Sequence, residues 1–201
     1  MSVSSPLRVR ATAIGLGALA LVTTAVAAAP GGQAAAPAER GRPAAAGVVT
    51  TLKFVRNGSD PQNSRLYVVR GGRSVAEFRA GSGLGKAHAN GRKECKRGQG
   101  WLPRGTYKVG RAQTRYNGNV IKGYAIPLSD KKCNDGRTPR TELFIHSEMT
   151  RDGGQGRTES RRWDGVGDYK SAGCIKLAPN DIKKLFRNLS RYPAPTRLTV
   201  V

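Results

Sequence analysis

Three cysteines and two histidines are few for a chain of 201 residues. They form no Cys-x-x-Cys and no His-x-x-x-His, which removes the familiar spacings of zinc sites. A His146, Glu148 and Asp152 set is the one metal combination left, and it has no recognised spacing, so no metal or cofactor is implied. Acidic residues are also scarce: 13 Asp and Glu stand against 35 Lys and Arg, a formal charge of +22. That excess is spread along the chain and concerns partners and solubility rather than fold. No nucleic-acid module or basic helix accompanies it, which argues against a nucleic-acid binder. The readings that remain are a generally basic solvated surface or attraction to an anionic cell wall or membrane surface.

Long uncharged runs are missing except near the N-terminus. Arg8 and Arg10 precede a run from Ala11 to Ala29, with small residues at Ala25 and Ala27, the pattern of an export signal. Its Ala, Gly and Thr content favours a cleaved signal over residues 1–29 rather than an anchor of the roughly 20 residues a span needs. Val9 separates the two arginines, so the signal is not of the twin-arginine kind. Residues 30–47 are Ala, Pro, Gly and a few charges, a composition that cannot bury a core and reads as a flexible linker. Residues 48–201 are enough for one domain with its own core.

Within that domain "VTTLKFVRN" (Val49 to Asn57) is rich in β-branched and aromatic residues. Two apolar runs, Leu66 to Val69 and Val75 to Phe78, are split by Gly71 and Gly72, a hairpin signal. "GTYKVGRA", "VIKGYAIPL", "TELFIHS" and "TRLTVV" follow as further strands. One segment reads as helix: Ile182, Leu185, Phe186 and Leu189 fall at helical spacing, with Asn180 as cap, Asp181 near the N-terminal dipole, and Pro193 and Pro195 beyond. The expected fold is mostly β with one short C-terminal helix. Between His146 and Ser171 lies a Gly- and Arg-rich segment without periodicity, long enough to be a functional lid or a mobile surface loop.

An exported chain favours disulfides, and three cysteines divide into a pair plus one. Cys95 in "KECKRG" and Cys133 in "DKKCND" share polar, turn-rich settings and are assigned as the bridge. Cys174 in "KSAGCIKL" differs, with Gly173 before it and Ile175 and Leu177 after it. It is a buried structural thiol, an intermolecular partner or a nucleophile. A nucleophilic thiol needs a base or a positive field. His88 lies in a polar loop, whereas His146 ends the apolar strand "ELFIH". "GSGLG" (Gly81 to Gly85) matches no dinucleotide or phosphate-loop spacing and reads as a turn.

"FIHS" (Phe144 to Ser147) followed by "SAGCIKL" (Ser171 to Leu177) resembles the L,D-transpeptidase catalytic domain of bacterial cell-wall enzymes. "LYVVRGGRSVAEFRAGSG", "LPRGTYKVG", "PNDIKKLF" and "PTRLTVV" are similar, in order, to that family's first hairpin, strand entry, closing helix and strand. The resemblance covers about Leu52 to Val201. It departs at Ala172, where the family has histidine, at Lys176, where it has arginine, and in the longer gap between His146 and Cys174. A lysine keeps the charge but loses the planar grip on a carboxylate.

The resemblance implies a sandwich or barrel of mixed strands and an enzyme that forms a thioester on Cys174. His146 would be the base, oriented by the Ser147 carbonyl. Backbone amides of Gly173 and Cys174 would meet the oxyanion, and Ser171 and Lys176 would hold the loop or the substrate's peptide stem. Attack by an amine on the thioester gives a crosslink, and attack by water a carboxypeptidase. The expected partners are peptidoglycan stem peptides and anionic wall polymers, with no nucleic acid and no membrane insertion after cleavage, for a secreted monomer. A non-catalytic, basic wall-binding protein on the same scaffold is the competing class.

Overall fold

The computed structural model describes residues 47–201. The signal and most of the linker read from the sequence lie outside the described residues.

Eleven strands and one α-helix form the domain. The strands are β1 (Thr50–Val55), β2 (Ser64–Arg70), β3 (Arg73–Ala80), β4 (Gly105–Lys108), β5 (Gln113–Asn117) and β6 (Lys122–Pro127), then β7 (Lys131–Lys132), β8 (Pro139–Arg140), β9 (Phe144–His146), β10 (Ile175–Lys176) and β11 (Arg197–Val200). Helix α1 spans Pro179–Leu189. The mostly β fold with one C-terminal helix is the architecture expected from the sequence.

Five strands make one sheet in the order β3-β2-β1-β11-β4, and four make a second in the order β10-β9-β6-β5. Each sheet mixes parallel and antiparallel neighbours: β11 runs parallel to β1, and β10 parallel to β9. Neither closes into a barrel. The β2–β3 hairpin turns at Gly71 (φ 52°) and Gly72 (φ 78°), the two consecutive left-handed positions that a tight hairpin turn demands. In β1 the side chains of Thr50, Leu52 and Phe54 point inward and are almost fully buried, as period-two alternation requires.

The core joins Leu52, Phe54, Leu66 and Val68 of the first sheet to Ile126, Ile145 and Ile175 of the second, and to Ile182 and Leu185 of α1. Asn180 does not cap that helix. Helix α1 begins two residues earlier than that cap would start it, with Ala178 at the cap position and Pro179 in the first turn. Proline's fixed φ suits a helix start and its missing N–H needs no cap.

Two features fix the parts of the chain that carry the cysteines. Cys95 and Cys133 form a disulfide across 38 residues, which pins the strand-free stretch before β4 to the small β7–β8 ribbon. Strand β10 is held on both sides, by β9 and by a reciprocal pair of 2.9 Å hydrogen bonds between Lys176 and Gly81.

Candidate active site

Alternation along two short strands decides which side chains meet. Ile175 pairs with Ile145 and both are wholly buried in the core. Lys176 pairs with His146, so Phe144, His146, Cys174 and Lys176 belong to the opposite face. All four line one cavity of about 630 Å3. Its other walls include Ser171, Ala172 and Glu142, together with Tyr116 of β5 and the turn Gly118 to Ile121 between β5 and β6. Tyr116 packs on Phe144 with ring centroids 5.3 Å apart. A second cavity of about 390 Å3 has Arg97, Arg140 and Thr141 in its wall and shares Glu142, Ala172 and Cys174 with the first.

Cys174 is the free cysteine among the described residues, and it is buried. Its thiol donates to the Glu142 carbonyl at 3.5 Å. Burial pushes the thiol up to about 11. The Phe144 backbone amide and the charges of Arg140 and Lys176 pull the other way, and Glu142 adds to the rise. His146 has its Nδ1 3.1 Å from the Ser147 carbonyl, a contact that assigns the proton to Nδ1 and leaves Nε2 as the basic nitrogen. Burial, then the charge of Lys176, pushes the imidazole down to about 4, against a smaller upward effect of the Ser147 carbonyl. The resting pair is therefore a neutral thiol and a neutral imidazole.

The residues expected to hold loop or substrate are engaged within the protein. Ser171 Oγ donates to the Cys174 carbonyl at 2.6 Å and accepts the amides of Gly83 and Gly173, each at 3.3 Å. Lys176 Nζ forms a buried ion pair with Glu148 and donates to the Lys170 carbonyl at 3.0 Å. The Gly173 amide expected to meet an oxyanion is thus shared with Ser171. Gly173 has φ 126°, which excludes an ordinary side chain. A Cβ there would run into the guanidinium of Arg140, so the space glycine frees beside the chain is filled by protein.

Sequence reasoning did not find Arg140 or Glu142. Arg140 is 3% exposed and its guanidinium reaches only backbone carbonyls among the described residues: those of Glu94, Trp101 (3.1 Å), Gly100 (2.9 Å) and Ala172 (3.3 Å). Glu142 is the one described non-glycine residue with positive φ, at 55°, and that conformation aims its carbonyl at the thiol. In sequence both are ordinary charges in a polar turn.

The segment between His146 and Ser171, expected to be a lid or a mobile surface loop, does not wall this cavity; the β5–β6 turn does. The long segment is folded on itself instead. The Asp168 carboxylate accepts the amides of Asp164 (2.7 Å) and Gly165 (2.6 Å), and Trp163 packs edge-on against Tyr169 at 4.7 Å.

A mostly β domain of two open mixed sheets, whose one free thiol among the described residues lies just before β10 and shares a cavity with an oriented histidine on the neighbouring β9, defines a class with the parts for thiol-based acyl chemistry. The model of the L,D-transpeptidase catalytic domain (YkuD) matches residues 59–199, and the chain belongs to that family. No curated protein matches it.

Similar solved structures include the helical cell shape determining protein Pgp2 from Campylobacter jejuni, 17% identical over 76% of this chain and 48% of that one, with a TM-score of 0.46. L,D-transpeptidase 1 of Mycobacterium tuberculosis is 14% identical over 76% of this chain and 62% of its own, with a TM-score of 0.40. The Enterococcus faecium L,D-transpeptidase is 14% identical over 76% and 50%, also at 0.40. The chain thus spans between about half and three fifths of the length of these relatives.

Proposed function

We propose that this protein is an exported peptidoglycan L,D-transpeptidase that uses Cys174 as nucleophile and His146 as base. The observation that supports this reading most is that two cavities share Cys174 in their walls, one of them with His146 beside it. A transferase needs one path for the acyl donor and another for the amine, whereas a hydrolase needs only the first and a route for water. Attack on the thioester by water, giving an L,D-carboxypeptidase, remains the second outcome of the same site.

In the proposed cycle, Nε2 of His146 takes the thiol proton as Sγ attacks a carbonyl of the stem tetrapeptide. The backbone amides of Gly173 and Cys174 serve the oxyanion, with Ser171 and Lys176 fixing the loop. The carbon–nitrogen bond to the terminal D-residue breaks, and its amine leaves with the proton from His146. An acceptor amine then adds to the thioester and gives up its proton to His146, and the carbon–sulfur bond breaks as His146 returns that proton to the departing sulfur. Because thiol and imidazole both rest neutral, proton transfer accompanies attack rather than preceding it.

The excess of basic residues supports retention of the chain on anionic wall polymers outside the cell, with the first 29 residues as export signal. Incubation with a disaccharide tetrapeptide of defined sequence, followed by mass analysis, tests the reading. A crosslinked dimer is expected, and tripeptide alone would make the enzyme a carboxypeptidase. Cys174→Ala should abolish either product while leaving the melting profile unchanged, and full residual turnover in that variant would refute the mechanism.

A further inference from the structure

Arg140 is a buried cation that touches no carboxylate among the described residues. The Glu94 carboxylate is taken by Arg56 at 2.5 Å and by the Arg104 amide at 3.3 Å. Burying a guanidinium among carbonyls alone is costly unless its charge and shape are both used. Three of those carbonyls, from Glu94, Gly100 and Trp101, belong to the stretch that the Cys95–Cys133 disulfide fastens. The fourth, from Ala172, belongs to the turn that presents Cys174.

The Ala172 carbonyl and the Gly173 N–H share one rigid peptide plane and point in opposite directions. Arg140 holds the carbonyl end at 3.3 Å and Ser171 Oγ holds the N–H end at 3.3 Å. The orientation of the Gly173 amide is therefore set by the guanidinium, and the absence of a side chain at Gly173 is what lets the guanidinium come so close.

We propose that Arg140 is the positioning residue of this site, fixing the Ala172–Gly173 peptide plane for oxyanion binding and supplying a permanent positive charge behind Cys174. This rests on the acyl-transfer reading above. The charged or titratable groups that share a cavity wall with the thiol are Arg97 from the stretch before β4, Tyr116 from β5, Arg140 from β8, Glu142 from the turn after it, His146 from β9 and Lys176 from β10. Of these, Arg140 is the cation in contact with the cysteine's own turn, and its charge favours the thiolate.

Two small probes separate the roles without any cell-wall substrate. Iodoacetamide alkylates a thiolate and needs no oxyanion site, whereas acylation by p-nitrophenyl acetate passes through a tetrahedral oxyanion as p-nitrophenolate leaves. Cys174 is the free thiol among the described residues, and Cys174→Ala serves as the blank. In Arg140→Met, loss of the charge should slow alkylation about ten-fold at fixed pH, with the profile displaced to higher pH. In Arg140→Lys, alkylation should return towards wild type while acylation stays about ten- to hundred-fold slower, because an ammonium cannot replace the fork that holds four carbonyls.

A folded Arg140→Met with wild-type alkylation at every pH would overturn the proposal. If that variant does not fold, Arg140→Lys decides alone, and wild-type acylation in it would overturn the proposal equally. Failure of the peptidoglycan reading looks different: the wild type would react with both probes yet leave muropeptides untouched.

Discussion

Burial pushes the Cys174 thiol up to about 11 and His146 down to about 4, so the imidazole is a free base at any pH well above 4. A base must be unprotonated to accept the thiol's proton, so kcat/KM should fall only as pH drops through about 4, well below the ordinary histidine value of 6.5. Muropeptide turnover between pH 3.5 and 8 checks this, and an acid limb near 6.5 would contradict it. The same shift acts on stability. Between 6.5 and about 4 the unfolded chain binds a proton that the native state does not, so stability is full above that window and declines as pH falls through it. Residue by residue, the sequence displays the two groups proposed to react, because a strand-end histidine and an odd cysteine each stand out by their setting. It conceals Arg140, whose role depends on four carbonyls, three of them about forty residues away.

Strands β9 and β10 have only three and two residues, too short to persist alone, so their geometry depends on what clamps them. One clamp is the ion pair between Lys176 in β10 and Glu148 just after β9, both almost fully buried. Removing one partner strands the other charge, so Glu148→Gln should cost about 3–5 kcal/mol in denaturant unfolding. A loss below about 1 kcal/mol would mean that Lys176 finds water. The disulfide is the second clamp, and closing its 38-residue span should contribute about 4 kcal/mol in the chain-entropy model, read as the loss in midpoint stability after reduction. Periodicity in the sequence exposes β1, the β2–β3 hairpin, β6, β11 and α1, each with a repeating apolar face. It cannot expose β7, β8 and β10, which exist only through their partners, nor the parallel pairing of β11 with β1 across most of the domain.

For the molecule as a whole, 13 acids cannot neutralise 35 bases, so at one acid per base most cations are left uncompensated. Exposed cations gain little from neighbours within the fold and are free to meet an external polyanion, whose attraction is screened over about 8 Å at physiological salt. Binding to isolated, anionic-polymer-bearing cell walls should therefore be strong at 50 mM salt and fall steeply by 500 mM. Cys174→Ala should bind as the wild type does, since a neutral thiol contributes nothing to long-range attraction. Cosedimentation across that salt range measures it. Retention that ignores salt but is lost in Cys174→Ala would mean that the chain is held through its active site, and the basic surface would then be a matter of solubility alone. Retention that falls with salt equally in both proteins separates what anchors the chain from the chemistry proposed for it. The charge would then set where the cavity beside Cys174 meets its substrate, and the four side chains on the β9–β10 face what happens there.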